Sequence, residues 1–175
     1  CPRIPSVVLS VSIIPRPMTA TKSIRQVLAK YPRNELIRTP TPLVHLKHLS
    51  ERLDVDLFIK RDDLTDLALG GDKPRKLEYE TAKANAQGAT VLVTCGSAQS
   101  NHARRTTAAA RKLGLKSALV LSSDGLKAFQ SNLLTVYLMG AEVRFVETRD
   151  HWDLESHALA FCEELRLKGE RPYYI

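Results

Sequence analysis

The chain has 175 residues, 43% hydrophobic and 26% charged, which suits a folded globular protein of one domain or one and a half. Those figures exclude a disordered, collagen-like or disulfide-framework protein, and no run approaches the roughly 18 apolar residues of a membrane span. The net charge is +7, but residues 1–34 hold Arg3, Arg16, Lys22, Arg25, Lys30 and Arg33 and no acid, leaving 20 basic against 19 acidic residues in the remainder.

Basicity is thus a property of the leading segment. A near-neutral body with only 6% aromatic residues does not read as a nucleic-acid binder. The segment opens on Cys1, is free of acid and contains Arg and Ser. Two readings stay open for residues 1–34: upstream sequence ahead of a start at Met18, and an organellar targeting segment. Cys1, Cys95 and Cys162 are far apart, no C-x-x-C pair exists and the five histidines are scattered, so no metal site is expected. A reducing, cytoplasmic compartment fits this cysteine usage.

In chain order, Ser23 and Gln26 form a capping pattern for a helix over residues 23–31, with Ile24, Val27, Leu28 and Tyr31 on one side and Pro32 as its stop. An extended Thr39-Pro-Thr-Pro-Leu43 segment follows. Residues 43–53 read as a helix and 55–60 as a strand with Val55, Leu57 and Ile59 on one face. From residue 72 the rhythm becomes regular. Helices at about 74–87, 100–113, 127–139 and 152–168 close at Gly88, Gly114, Gly140 and Gly169. Strands begin at 90, 117, 142 and 172. Strand–helix alternation with such apolar strands predicts an α/β fold: an open parallel twisted sheet with helices on both faces.

Ligands of such sheets bind beyond the carboxyl ends of the strands, at helix starts. The loops at 95–102, 122–128 and 147–152 are the candidates. Thr94-Cys-Gly-Ser-Ala-Gln-Ser-Asn-His102 is the richest in polar groups: Gly96 permits close approach, and Ser100 and Asn101 precede free helix N–H groups. It reads as a carboxylate or phosphate receptor or as an ordinary helix cap. Gly70-Gly-Asp-Lys-Pro-Arg-Lys-Leu-Glu78 places Lys73 at a helix start beside Arg75 and Lys76. The dipole and both cations would disfavour its ammonium form, as an amine nucleophile requires. The alternative is a solvated basic turn. No G-x-G-x-x-G, P-loop, H-E-x-x-H or G-x-S-x-G pattern occurs.

Gly70–Glu78, then Cys95-Gly-Ser-Ala-Gln-Ser-Asn-His-Ala-Arg104, with Thr41-Pro-Leu43 and Lys60-Arg-Asp-Asp-Leu64 ahead of them, resemble the pyridoxal-phosphate enzymes of the 1-aminocyclopropane-1-carboxylate (ACC) deaminase and D-cysteine desulfhydrase family. The resemblance covers about residues 36–175. It implies the tryptophan-synthase-β-like fold (fold type II), here incomplete, with residues 35–88 as the N-terminal part of the large cofactor domain and 89–175 as a small α/β domain. It implies pyridoxal 5'-phosphate as cofactor, a small amino acid as substrate, a homodimer at full length, and neither a nucleic-acid nor a membrane partner. By position, Lys73 corresponds to the lysine that holds the cofactor covalently, Ser100 to the serine that acts as nucleophile or proton carrier, and Asn101 to the asparagine bonding the cofactor's ring oxygen. The backbone of residues 100–102 would hold the substrate carboxylate. His102 resembles the desulfhydrase branch, where the deaminase branch commonly has Gln. Asp72 stands where the family usually has Asn; both cap helices well, but an aspartate there would oppose a lowered lysine pKa. The family's glycine-rich phosphate loop and later tyrosines have no counterpart, so a truncated chain is expected.

Overall fold

Apolar runs separated by glycine-stopped helices give the chain its centre. A computed structural model describes residues 24–123, 129–148 and 150–175. In chain order the elements are α1 (Ile24–Leu28), β1 (Leu43–His45), α2 (Lys47–Leu53), β2 (Phe58–Lys60), α3 (Lys73–Ala86), β3 (Val91–Ser97), α4 (Asn101–Lys112), β4 (Lys116–Ser122), α5 (Ser131–Leu138), β5 (Glu142–Val146), α6 (His151–Leu167) and β6 (Pro172–Tyr174).

β3 to β6 form one parallel sheet in the order β5-β4-β3-β6. Alternate residues of its strands feed two cores. Val91, Val93, Cys95, Ala118 and Val120 meet Leu154, Ala158, Phe161 and Leu165 of α6. On the other face Leu119 and Leu121 meet Ala103 of α4 and Leu133 and Val136 of α5, while Leu92 meets Ala84 of α3 and Ala110 of α4. Burial on both sides explains why the strand sequences are continuous apolar runs. Alanines at 108, 109 and 110 let α4 lie close to the sheet and to Leu77 of α3.

The order of the strands sets where a ligand can enter. β3 leads through α4 to β4 on one side, whereas β5 returns through α6 to β6 on the other side of β3. Connections leave β3 in opposite directions, so a crevice opens at its carboxyl end. There the Ile175 N–H donates to the Val93 carbonyl (2.9 Å) and the Thr94 hydroxyl to the Ile175 carbonyl (2.9 Å).

Glu78, 1% exposed on α3, ties the segment before β1 to this body. Its carboxylate accepts from the Leu36 and Ile37 N–H groups (3.1 and 3.3 Å) and pairs with Arg33 at 2.7 Å.

The first third departs from the sequence reading. The helix expected over 43–53 forms only from Lys47; Leu43, Val44 and His45 instead pair antiparallel with Lys60, Ile59 and Phe58. Leucines at 43, 46, 49 and 53 have helical spacing, but a ladder with a distant strand takes the first of them. The first helix is limited to Ile24–Leu28, its apolar side chains are exposed, and the Ser23 cap lies outside the described residues. Most of the basic leading segment, and residues 124–128 of the second candidate loop, lie outside them as well. Among the described residues, no helix is long and apolar enough to cross a membrane and no cluster of ligating side chains suits a metal.

Candidate active site

Lys73 is the first residue of α3 and follows a turn of unusual backbone. Ala68, Leu69, Gly70 and Gly71 take left-handed conformations in succession, with φ of 46°, 66°, 71° and 117°. Space as well as φ demands the two glycines. A Cβ at 70 would lie 1.9 Å from the Asp63 carbonyl oxygen, and one at 71 would lie 2.0 Å from Nη2 of Arg105. Arg105 comes from α4, is 7% exposed, and donates from Nε to the Gly70 carbonyl at 2.6 Å. One guanidinium thus fastens the Lys73 turn to the helix that carries Ser100 and Asn101.

The surroundings of Lys73 differ from those expected. Arg75 turns away: its guanidinium grips Asp62 at 2.6 and 2.7 Å, and Asp62 also accepts from the Thr41 hydroxyl at 2.6 Å. Asp72 does not cap α3. Its backbone is already helical (φ −77°, ψ −30°), and its carboxylate takes a hydrogen bond from Lys73 Nζ at 2.9 Å. That bond, with the charges of Lys73 and Arg105, holds the Asp72 carboxyl below the usual aspartate range against the opposing effect of burial. The Lys73 side chain is 45% exposed.

Ser100 is the N-cap of α4, in extended conformation (φ −61°, ψ 120°), and its Oγ accepts from the Ala103 N–H at 3.1 Å. A hydroxyl that accepts in the cap keeps its own proton to donate elsewhere. Gly96 is packed against it: a Cβ there would come within 3.0 Å of Ser100 Oγ. β3 runs through Gly96 to Ser97, so the first candidate loop is shorter than 95–102. The Ser100 N–H is spent on the Ser97 carbonyl (2.9 Å). The carboxylate cradle expected from residues 100–102 therefore narrows to the N–H groups of Asn101 and His102, which begin the helix with no acceptor in the preceding turn.

His102 is half buried, and its Nδ1 has no hydrogen-bond partner among the described residues. Burial, then the charge of Lys76, then those of Lys73 and Arg105, push its imidazole below the usual histidine value; the Ile175 backbone pulls weakly the other way. Lys73, Lys76 and Arg105 therefore converge electrostatically on the start of α4, the polarity an anionic ligand requires. Lys73, Ser100, Asn101 and His102 all border this region. A separate cleft at the amino ends of β3 and β4, between Arg111, Lys116 and Glu170, contains none of them.

Two residues of the site were not singled out in the sequence. Arg105 holds the Lys73 turn, and Asn132 at the start of α5 hydrogen-bonds Asn101. Arg105 had a readable signal: an arginine inside an alanine-rich helix with no nearby acid must find its acceptor elsewhere. Asn132 had none, because its partners lie about thirty positions away.

A parallel α/β sheet with a lysine-bearing turn and a polar helix start meeting at its switch point defines a ligand-binding domain of the α/β enzymes. The chain belongs to the pyridoxal-phosphate dependent enzyme family, whose model matches residues 35–175. It is 44% identical to a putative ACC deaminase of Pyrococcus horikoshii over 149 residues, covering 85% of this chain and 45% of that protein. It is 41% identical to a D-cysteine desulfhydrase of Klebsiella pneumoniae over 155 residues, covering 86% and 47%. A crystal structure of an ACC deaminase homologue superimposes with TM-score 0.82 at 43% identity, over 89% of this chain and 47% of the other. A Thermus threonine deaminase gives TM-score 0.57 at 25% identity, over 77% and 39%. The fold is that of the fold type II pyridoxal-phosphate enzymes. The chain spans about half the length of the curated relatives it matches.

The residues present fit the family's cofactor. An exposed primary amine sits at Lys73, an amide at Asn101, free N–H groups begin α4, and Gly96 leaves open the space a Cβ would fill beside Ser100.

Proposed function

We propose that the protein carrying this chain is a pyridoxal-phosphate-dependent lyase or deaminase of a small amino acid. The observation that carries this reading is the fastening of the Lys73 turn to the start of α4 by Arg105, in a chain of this family. Residues 35–88 would supply the wall that bears Lys73, and residues 89–175 the small α/β unit that bears Ser100, Asn101 and His102.

The bound cofactor supplies an electron sink for a carbanion at the substrate's Cα. Lys73 holds it covalently through Nζ and releases it to the incoming amine. Asn101 donates from its side-chain amide to the ring oxygen. The N–H groups of Asn101 and His102 receive the substrate carboxylate, aided by the cations around His102. Ser100, which accepts from Ala103 and keeps its hydroxyl proton, carries a proton to or from the substrate.

The preferred substrate is D-cysteine. Loss of its thiol as hydrogen sulfide and uptake of one water give pyruvate and ammonia. His102 supports this choice; the alternative is ACC, since relatives of similar identity carry both names.

The test uses the full-length protein with both substrates. D-cysteine is expected to release pyruvate and sulfide in equal amounts, with a borohydride-reducible visible band that Lys73→Ala abolishes. A reducible band retained in Lys73→Ala overturns the assignment of Lys73. Pyruvate-free turnover of D-cysteine, alongside rapid ACC deamination, overturns the choice of substrate.

A further inference from the structure

Asn132, the second residue of α5, is the centre of a polar cluster joining α5 to the start of α4. Its backbone N–H donates to Gln99 Oε1 at 2.9 Å. Its side-chain NH2 donates to the Gln99 carbonyl at 2.7 Å and to Asn101 Oδ1 at 3.1 Å. Its Oδ1 accepts from Nη1 of Arg104. Both amide hydrogens are in use, and a guanidinium faces the oxygen.

This pattern fixes the orientation of two amides in turn. Arg104 can only donate and the Gln99 carbonyl can only accept. A flipped Asn132 would set its NH2 against the guanidinium and its oxygen against the carbonyl, so only one orientation satisfies both neighbours. With the Asn132 NH2 aimed at Asn101, the atom of Asn101 that meets it must be oxygen. The Asn101 NH2 is then left pointing away with two unused hydrogens.

We propose that Asn132 is a positioning residue: it sets the Asn101 amide so that a donor, and not an acceptor, faces the crevice at the end of β3. The consequence for the cofactor rests on the reading above that Asn101 meets the ring oxygen. A carbonyl presented to that oxygen would repel it; an NH2 stabilises its negative charge. Gln99 and Arg104 reach the site only through Asn132.

Asn132→Asp tests this, because it keeps the shape and the Arg104 contact while replacing the donor to Asn101 by an acceptor. In the cofactor-free full-length protein, the Asn101 side-chain amide protons, followed by 15N NMR, are expected to exchange rapidly in the wild type. In Asn132→Asp they are expected to slow, since the NH2 turns back to the new carboxylate. Unchanged Asn101 exchange in Asn132→Asp overturns the proposal. In the loaded protein, Asn132→Asp is expected to weaken pyridoxal phosphate binding about tenfold, the size of one charge-assisted hydrogen bond. It should also raise the pH midpoint of the cofactor's visible absorption, because an oxygen without its donor holds the neighbouring proton more tightly. Asn132→Ala, which removes the partner without reversing the amide, is expected to show a smaller loss. An equal or larger loss in Asn132→Ala, or a fall in melting temperature with no movement of the midpoint in either variant, overturns the proposal in favour of simple packing. If Asn101 exchange slows in Asn132→Asp while Asn101→Ala binds the cofactor normally, the orientation stands and the cofactor role assigned to Asn101 falls.

Discussion

An imidazole packed beside Lys76, Lys73 and Arg105 gives up its proton more readily than one in water. The folded pKa of His102 therefore lies below the about 6.5 of an unfolded chain. Between those two values the unfolded state binds more protons, so stability rises with pH. The contribution of a neutral His102 is complete above about pH 6.5 and is lost as pH falls through the folded value. We expect the His102 ring resonances to titrate with a midpoint below that of a solvent-exposed histidine such as His48. We also expect His102→Gln to flatten the dependence of stability on pH just below neutrality. A His102 midpoint at or above 6.5 would contradict the electropositive character assigned to the start of α4. Asp62 and Asp72 behave in the same sense at lower pH: Arg75 and Lys73 lower their pKa values, so their contributions are lost only in strong acid.

At the scale of elements, glycines divide into those that end a helix and those that make room. Gly88, Gly114, Gly140 and Gly169 all have φ between 66° and 82° at the end of a helix, and all four ends were legible as sequence punctuation. Gly114 has nothing within 4 Å of where a Cβ would stand. Gly71 looks similar in sequence, yet Arg105 occupies the place of its Cβ. We therefore expect Gly114→Ala to cost about 1 kcal/mol, the price of the left-handed backbone alone. Gly71→Ala is expected to cost about 3 kcal/mol, because a buried guanidinium cannot move aside without losing the Gly70 carbonyl. Denaturant midpoints compare the two directly, and equal effects would mean that Arg105 does not clamp the turn. The strand–helix alternation was readable because each strand is buried on both faces and each helix is short enough to show its stop. The β1–β2 pair was not, because its register depends on a partner about fifteen residues away that a helical leucine spacing conceals.

For the whole molecule, the same division between local and distant holds at the site. Lys73, Ser100, Asn101 and His102 lie in two compact motifs, and the fold brings both to one crevice. What the residues could not disclose was the wiring: Arg75 committed to Asp62, Asp72 to Lys73, and Asn132 to Asn101. Each pairing joins different elements or reverses a local preference. The chain also presents exposed apolar residues along its first third, among them Leu43, Leu53, Val55, Phe58 and Leu64. β6, which pairs only with β3, is an edge strand. Surfaces of this kind seek a partner. The 175-residue chain expressed alone is expected to self-associate and to bind pyridoxal phosphate weakly. Sedimentation and cofactor titration check this, and a stable monomer with stoichiometric cofactor would refute it.

The turn ahead of Lys73 holds a leucine and an alanine in backbone conformations that glycine or asparagine adopts with less strain, a difference of about 1 kcal/mol at each position. Leu69 is exposed, so no packing obliges it to stay. A lineage selected for heat resistance would have an easy improvement at hand in these two residues. A lineage selected for turnover would have reason to refuse it, because a glycine there would let the lysine wander. Which residues occur at these two positions in hot- and cold-living organisms would record which pressure prevailed.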